Sequence, residues 1–188
     1  MLATVFCTHL HVDHVGWNTR LSDGRFVPSF PNARYLFGRD ELADWMAQRE
    51  AGTIPALHGA AIEDSVIPIL EAGLADLVDR GHELARNLTL TPLPGHTRGQ
   101  MGALLDHPAG GAIFCGDAIH SPVQIYQPDV STAVDADRST AIVTRRALLE
   151  EASETGRLVV PAHFRGRRCA RIRRAGSDFE PVFRGEPA

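Results

Sequence analysis

Thr8-His9-Leu10-His11-Val12-Asp13-His14 is the stretch on which the reading of this chain turns. Four residues able to hold a metal fall within six positions, in a chain with nine histidines. The apolar run Leu2-Ala3-Thr4-Val5-Phe6-Cys7 leads directly into them. Imidazole and carboxylate donors together suit zinc and other divalent first-row ions. The lead-in predicts a strand over Leu2–Cys7. On extended backbone alternate side chains share a face, so His9 and His11 point to one side. Asp13 and His14, past the strand end, turn toward a neighbouring position, and such a loop can serve two metals. Cys7, two residues before His9, reads as a buried small hydrophobe rather than a ligand.

The same grammar recurs downstream. Leu93-Pro94-Gly95-His96-Thr97 follows the strand-like Leu88-Thr89-Leu90-Thr91. Ala112-Ile113-Phe114-Cys115 ends in Gly116-Asp117, and Leu158-Val159-Val160-Pro161-Ala162 ends in His163. Each places one metal-binding side chain at the C-terminal end of a strand, where loops carry chemistry on a rigid scaffold. A single strand-end histidine or aspartate is ordinarily a cap or turn residue. Four such positions in one chain point to a metal centre.

These residues, His9-x-His11-x-Asp13-His14, Gly95-His96, Gly116-Asp117 and Ala162-His163, resemble the metallo-β-lactamase superfamily in motif and order. The resemblance implies an α/β chain of α+β type, an αββα sandwich of two mixed sheets with helices outside. It implies one domain over 1–188, N-terminally short because only eight residues precede His9 and much of the first sheet is missing. By the same resemblance His9, His11 and His96 hold a first metal, Asp13, His14 and His163 a second, and Asp117 bridges them. The implied cofactors are two divalent ions, zinc by default. The implied reaction is cleavage of a small ester, lactone or phosphotriester by a bridging hydroxide, with Asp13 and Asp117 as catalytic carboxylates. Because Asp117 stands where the zinc β-lactamases carry a cysteine or serine, β-lactam hydrolysis is not favoured. Gly116–Gln124 and Asp23–Ala33 look like the lactonase-like and organophosphate-hydrolase-like branch. Alternatives within the resemblance are a nuclease or phosphodiesterase, a mononuclear iron thiol oxidase, and a truncated fragment that binds metal without turnover.

Composition sets outer bounds. At 188 residues, with 44% hydrophobic and 22% charged residues, the chain is ordinary for one globular domain. No apolar run approaches the roughly 20 residues of a membrane span, and the N-terminus does not read as a cleaved signal. A cytoplasmic location, conditional on a native N-terminus, and a small-molecule substrate are expected. An incomplete sheet favours association, such as a homodimer, to cover it. The three cysteines give no disulfide framework. A net charge of −4 gives no pull toward nucleic acid. Yet Arg165, Arg167, Arg168, Arg171, Arg173 and Arg174 crowd the stretch after His163, and all nineteen basic residues are arginine. The cluster reads first as a solvated face and second as a phosphate-binding patch.

The remaining pattern predicts an irregular segment from Gly16 to Pro31, holding Trp17, Phe26 and Phe30. Lid and core cover are equal readings of that segment. A strand over Ala33–Phe37 and a helix over Asp40–Arg49 follow, the helix carrying Trp45 and Met46 toward the core. A second helix spans Ile62–Ala72, with Pro68 awkward inside it. Strands over Leu88–Thr91, Met101–Asp106, Ala112–Cys115 and Leu158–Val160, a helix over Arg138–Ser153, and a hairpin of Arg168–Arg173 with Phe179–Phe183 complete the order. His120, three residues past Asp117, orients a ligand, touches substrate or has no role. His58, His82 and His107 read as surface residues.

Overall fold

In a computed structural model that describes residues 3–108 and 110–183, the apolar lead-in is a strand, though a shorter one, β1 (Thr4–Phe6). Leu2, the first residue of the expected strand, lies outside the described residues. The chain forms two units, Met1–Asp79 and Arg80–Ala188.

In the first unit the histidine loop leads into a single helical turn, α1 (Val12–Val15). Next comes a hairpin, β2 (Thr19–Ser22) with β3 (Arg25–Pro28), where an irregular segment was expected. Its two-residue turn is Asp23-Gly24, at φ 50° and 76°. This Asp-Gly pair is a strong local hairpin signal, because both positions need the left-handed region and the resulting turn matches strand twist. The strand β4 (Arg34–Gly38) and helix α2 (Arg39–Glu50) match expectation within a residue or so. The expected helix over Ile62–Ala72 is two helices, α3 (Ala56–Ser65) and α4 (Ile67–Glu71), broken at Val66. Pro68 explains the break. It stands in the first turn of α4, where no backbone donor is needed. The Asp64 carbonyl four residues earlier accepts from the Thr19 hydroxyl instead, at 2.7 Å. A short strand not foreseen, β5 (Ala75–Val78), completes a parallel sheet in the order β1-β4-β5. Leu10, Tyr35, Phe37, Trp45, Ile62 and Ile69 are buried in this unit's core. Phe30 packs against that core, whereas Trp17 is 84% exposed and covers nothing.

The second unit is built on a seven-stranded sheet. Its strands are β6 (Glu83–Ala85), β7 (Leu88–Pro92), β8 (Met101–Leu105), β9 (Ala112–Gly116), β10 (Leu158–Pro161), β11 (Ala170–Ala175) and β12 (Asp178–Phe183). They lie side by side in sequence order, antiparallel throughout except for the parallel pair β9 and β10. The helical turn α5 (Val123–Tyr126) and the long helix α6 (Arg138–Thr155) lie between β9 and β10 in sequence. The α6 start is capped by Asp137, whose carboxylate accepts from the Thr140 N–H at 3.1 Å. Hydrogen bonds from Ser139 and Thr140 draw the Asp137 pKa down to about 2. Leu93, Ile113, Ile119, Ile125, Leu149 and Val159 are buried in this unit's core. Among the described residues, no helix is long and apolar enough to cross a membrane.

Candidate metal centre

In the first unit, the loop after β1 brings three imidazoles together. His9 lies 4.8 Å from His11 and 4.0 Å from His14, centroid to centroid. The first distance fits the expectation that His9 and His11 share a face. The second arises from α1, since the His14 amide bonds the His11 carbonyl at 3.0 Å and folds the chain back. His9 is fully buried, while the Asp13 side chain is 55% exposed, 3.7 Å from His14 Nε2. His9 Nδ1 is 3.1 Å from the Thr8 hydroxyl. With Nδ1–H donating to that oxygen, the Nε2 lone pair is left for a metal.

Two residues lie against this loop, one that sequence reasoning passed over and one that it placed at the surface. Glu41, on α2 and buried, accepts from the Leu10 amide at 2.9 Å and from Trp45 Nε1 at 2.8 Å. It therefore holds the residue between His9 and His11 from outside the loop. An acid at the start of a helix carries no signal of that in sequence, because helix N-termini favour acids anyway. His58, expected at the surface, packs on His11 at 4.5 Å and on Trp45 at 5.4 Å. His82 and His107 are exposed, as expected. Cys7 is buried with its thiol toward Asn18, and burial pushes its pKa up to about 11.

In the second unit the sheet does the gathering. β7, β9 and β10 run in the same direction and end at the same edge. Pro161 pairs with Gly116 across a register shift, and the Ala162 amide bonds the Gly116 carbonyl at 3.2 Å. The next residues, Asp117 and His163, are thereby neighbours. One carboxylate oxygen, Asp117 Oδ2, then stands 3.4 Å from His96 Nε2, 3.1 Å from His120 Nε2 and 3.1 Å from His163 Nε2. The donor atoms of His96, Asp117 and His120 all lie within 4.8 Å of one another. Two ligands about 2.1 Å from one tetrahedral ion are about 3.4 Å apart, so these spacings fit shared coordination. His120, whose role was open in the sequence, belongs to this cluster.

His96 is positioned by close contact. Gly95 has φ 126°, and a Cβ there would come within 2.2 Å of the Ala141 backbone nitrogen. Only glycine lets the turn lie against the start of α6. The Gly95 and His96 carbonyls accept from the Asp137 and Ala136 amides at 2.9 and 3.0 Å. Behind the ring, His96 Nδ1 is 3.0 Å from the buried Asp135 carboxylate, a residue the sequence reading did not name. Burial alone would raise the Asp135 pKa. Hydrogen bonds from His96, Ser131 and Thr132 outweigh it and hold the carboxyl far below its usual range. An ionised Asp135 fixes the proton on Nδ1 and leaves Nε2 as the metal-facing atom. Asp135→Asn is therefore expected to weaken binding of an added divalent ion, with zinc as the probe, by about 10- to 100-fold. Competition against a chromophoric chelator measures this, and an unchanged affinity would remove Asp135 from the site. Cys115, beneath Asp117, is buried with its thiol pKa pushed up to about 12 by burial and by the neighbouring carboxylate. It is a core residue.

Comparison with known proteins places the fold and the family. The chain is 33% identical over 118 residues to a hydroxyacylglutathione hydrolase of Synechococcus sp. (strain JA-2-3B'a(2-13)), covering 63% of this chain and 35% of that protein. A solved hydrolase of the beta lactamase superfamily, AbOPH, matches with TM-score 0.83 and 23% identity, over 99% of this chain and 65% of that one. AidC, a dizinc quorum-quenching lactonase, matches with TM-score 0.79 and 20% identity, over 99% of this chain and 65% of that one. At those identities the structural likeness is one of fold. This chain thus spans about a third of the curated relative and about two thirds of each solved structure. The family profile itself matches residues 1–163, from before the first histidine loop to His163. By that match, this chain belongs to the metallo-beta-lactamase superfamily.

Proposed function

We propose that this chain is the metal-binding part of a hydrolase that cleaves a small ester, lactone or phosphotriester with metal-activated water. The observation that carries this reading is the set of three imidazole nitrogens within 3.1–3.4 Å of one Asp117 oxygen. The donors in this reading are His9, His11, Asp13, His14, His96, Asp117 and His163, with His120 a further imidazole against the same Asp117 oxygen. Together they hold two divalent ions, zinc by default. AidC is a dizinc lactonase of the same fold, which supports the ion count and the reaction class.

Divalent ions held by these residues would lower the pKa of bound water toward neutrality and polarise a carbonyl or phosphoryl oxygen. The protein's own groups do the rest. Neutral histidines and two aspartates contribute −2 against +4, so the centre keeps a positive charge that favours an electron-rich oxygen. Asp117 sets the spacing of the ligands around it. Asp135 keeps His96 in the tautomer that presents Nε2. Asp13, the most exposed of these carboxylates, accepts the proton of the attacking water and returns it to the leaving group.

Elemental analysis of the purified protein tests this directly. About two zinc per chain is expected, with His96→Ala retaining about one and losing more than about 100-fold in rate across an ester, lactone and phosphotriester panel. Absence of bound metal after zinc is supplied, or a metal-loaded protein inert across the panel, would sink the reading. One equivalent of iron would redirect it to thiol oxidation.

A further inference from the structure

The arginine-rich stretch after His163 resolves in the fold into two groups. Arg167 lies over the Phe183 ring at 5.5 Å. Arg171 donates to the Gly156 carbonyl, Arg173 pairs with Glu180 at 2.7 Å, and Arg174 pairs with Glu150 and covers Phe179. These four are engaged along the β11–β12 hairpin and its surroundings. Arg165 and Arg168 differ: both are exposed, and neither makes a hydrogen bond or ion pair among the described residues.

Both line a pocket of about 630 Å³ together with Pro161, His163 and Phe164. The loop that carries them is held at both ends, since β10 and β11 pair through Val159 and Ala170. It is also held in the middle, because Phe164 is buried in the second unit's core between His163 and Arg165. A candidate metal-ligand histidine and two unengaged guanidinium groups therefore line one cavity.

We infer that Arg165 and Arg168 form an anion subsite beside the metal centre, and that the substrate is a small ester carrying a carboxylate. This deepens the hydrolase reading and rests on it. The cavity has the volume of a small-molecule site. A polyanion such as RNA needs a continuous basic track, and four of the six arginines are already engaged or stacked. The chain's net charge of −4 opposes such a track as well. Guanidinium is the group best shaped to take a carboxylate through paired N–H donors.

A matched pair of substrates separates the possibilities. Mono-p-nitrophenyl glutarate and p-nitrophenyl pentanoate share a leaving group and differ in the terminal carboxylate. The zinc-loaded protein is expected to prefer the glutarate ester by about tenfold or more in kcat/KM. The Arg165→Ala/Arg168→Ala double variant should bring that ratio close to one, mainly through KM, while Arg→Lys at both positions restores part of it. Independently of turnover, glutarate should bind the wild-type protein at low salt by calorimetry and not bind the double variant. Equal use of both esters, with a ratio unmoved in the variant, overturns the subsite and leaves the hydrolase reading standing. Glutarate binding that depends on both arginines, in a metal-loaded protein that cleaves neither ester and is inert across the lactone and phosphotriester panel, upholds the subsite and overturns the hydrolase reading. Arginine-dependent binding of a single-stranded oligonucleotide without glutarate binding overturns the inference in favour of a nucleic-acid surface.

Discussion

Asp117→Ala is expected to empty the centre of metal and to abolish measurable hydrolysis. Residues that merely orient a metal ligand cost about 10- to 100-fold when removed, so loss of the carboxylate itself should exceed about 100-fold in rate. The reason lies in its surroundings. Asp117 is 3% exposed, and one of its oxygens faces three imidazole nitrogens. Removing it leaves neutral donors where a dication needs a negative charge, in a place where water cannot make up the difference. Asp117→Asn keeps the volume and loses the charge, and should behave nearly as badly. Elemental analysis after dialysis against buffered zinc checks both variants alongside the rate. Full metal stoichiometry and a wild-type rate in either variant would mean that the cluster is not the centre.

The largest loss of stability is expected at Arg145, a residue no motif marks. It stands on α6, fully buried, and donates to the carbonyls of Ala118 at 2.9 Å, Pro128 at 2.7 Å and Val130 at 3.0 Å. Its guanidinium is also 3.7 Å from the Asp135 carboxylate. One side chain thus ties down the loop after Asp117 and the loop that delivers Asp135 to His96. Arg145→Met removes a buried positive charge from beside an ionised carboxylate and strands the carbonyls. A destabilisation of about 3–5 kcal/mol is expected, which for a chain of this size lowers Tm by roughly 10 °C. Thermal unfolding measures it. Because the same change loosens Asp135, zinc affinity should fall even at temperatures where the variant is folded. A variant with unchanged Tm would show that the network is dispensable.

Neither Arg145 nor Asp135 could be picked out beforehand. Both are common residue types at unremarkable positions, and their roles come from what the fold sets beside them. Glu41 is the same case in the first unit, an acid in a helix start that turns inward to hold Leu10. His58 was misread because its meaning depends on α3 placing it against His11. The short strands β5 and β6 escaped notice for a related reason. Runs of three or four residues carry too little periodicity, and they become strands only when neighbours complete their hydrogen bonds. The β2–β3 hairpin is different, since its Asp23-Gly24 turn was legible and went unused.

What the chain's order of residues determined alone was local: the histidine loop behind an apolar run, glycine before His96 and Asp117, and strands that end in donors. Those features need only alternation along a strand and the freedom of glycine, and they sufficed to place the chain in its superfamily. Tertiary structure alone decided which donors meet. Asp117 and His163 are 46 positions apart and 3.1 Å from each other because β9 and β10 pair in parallel with Pro161 opposite Gly116. It also decided which arginines are engaged and which face a cavity, because the charge of a side chain is written in sequence while its partners are set by packing.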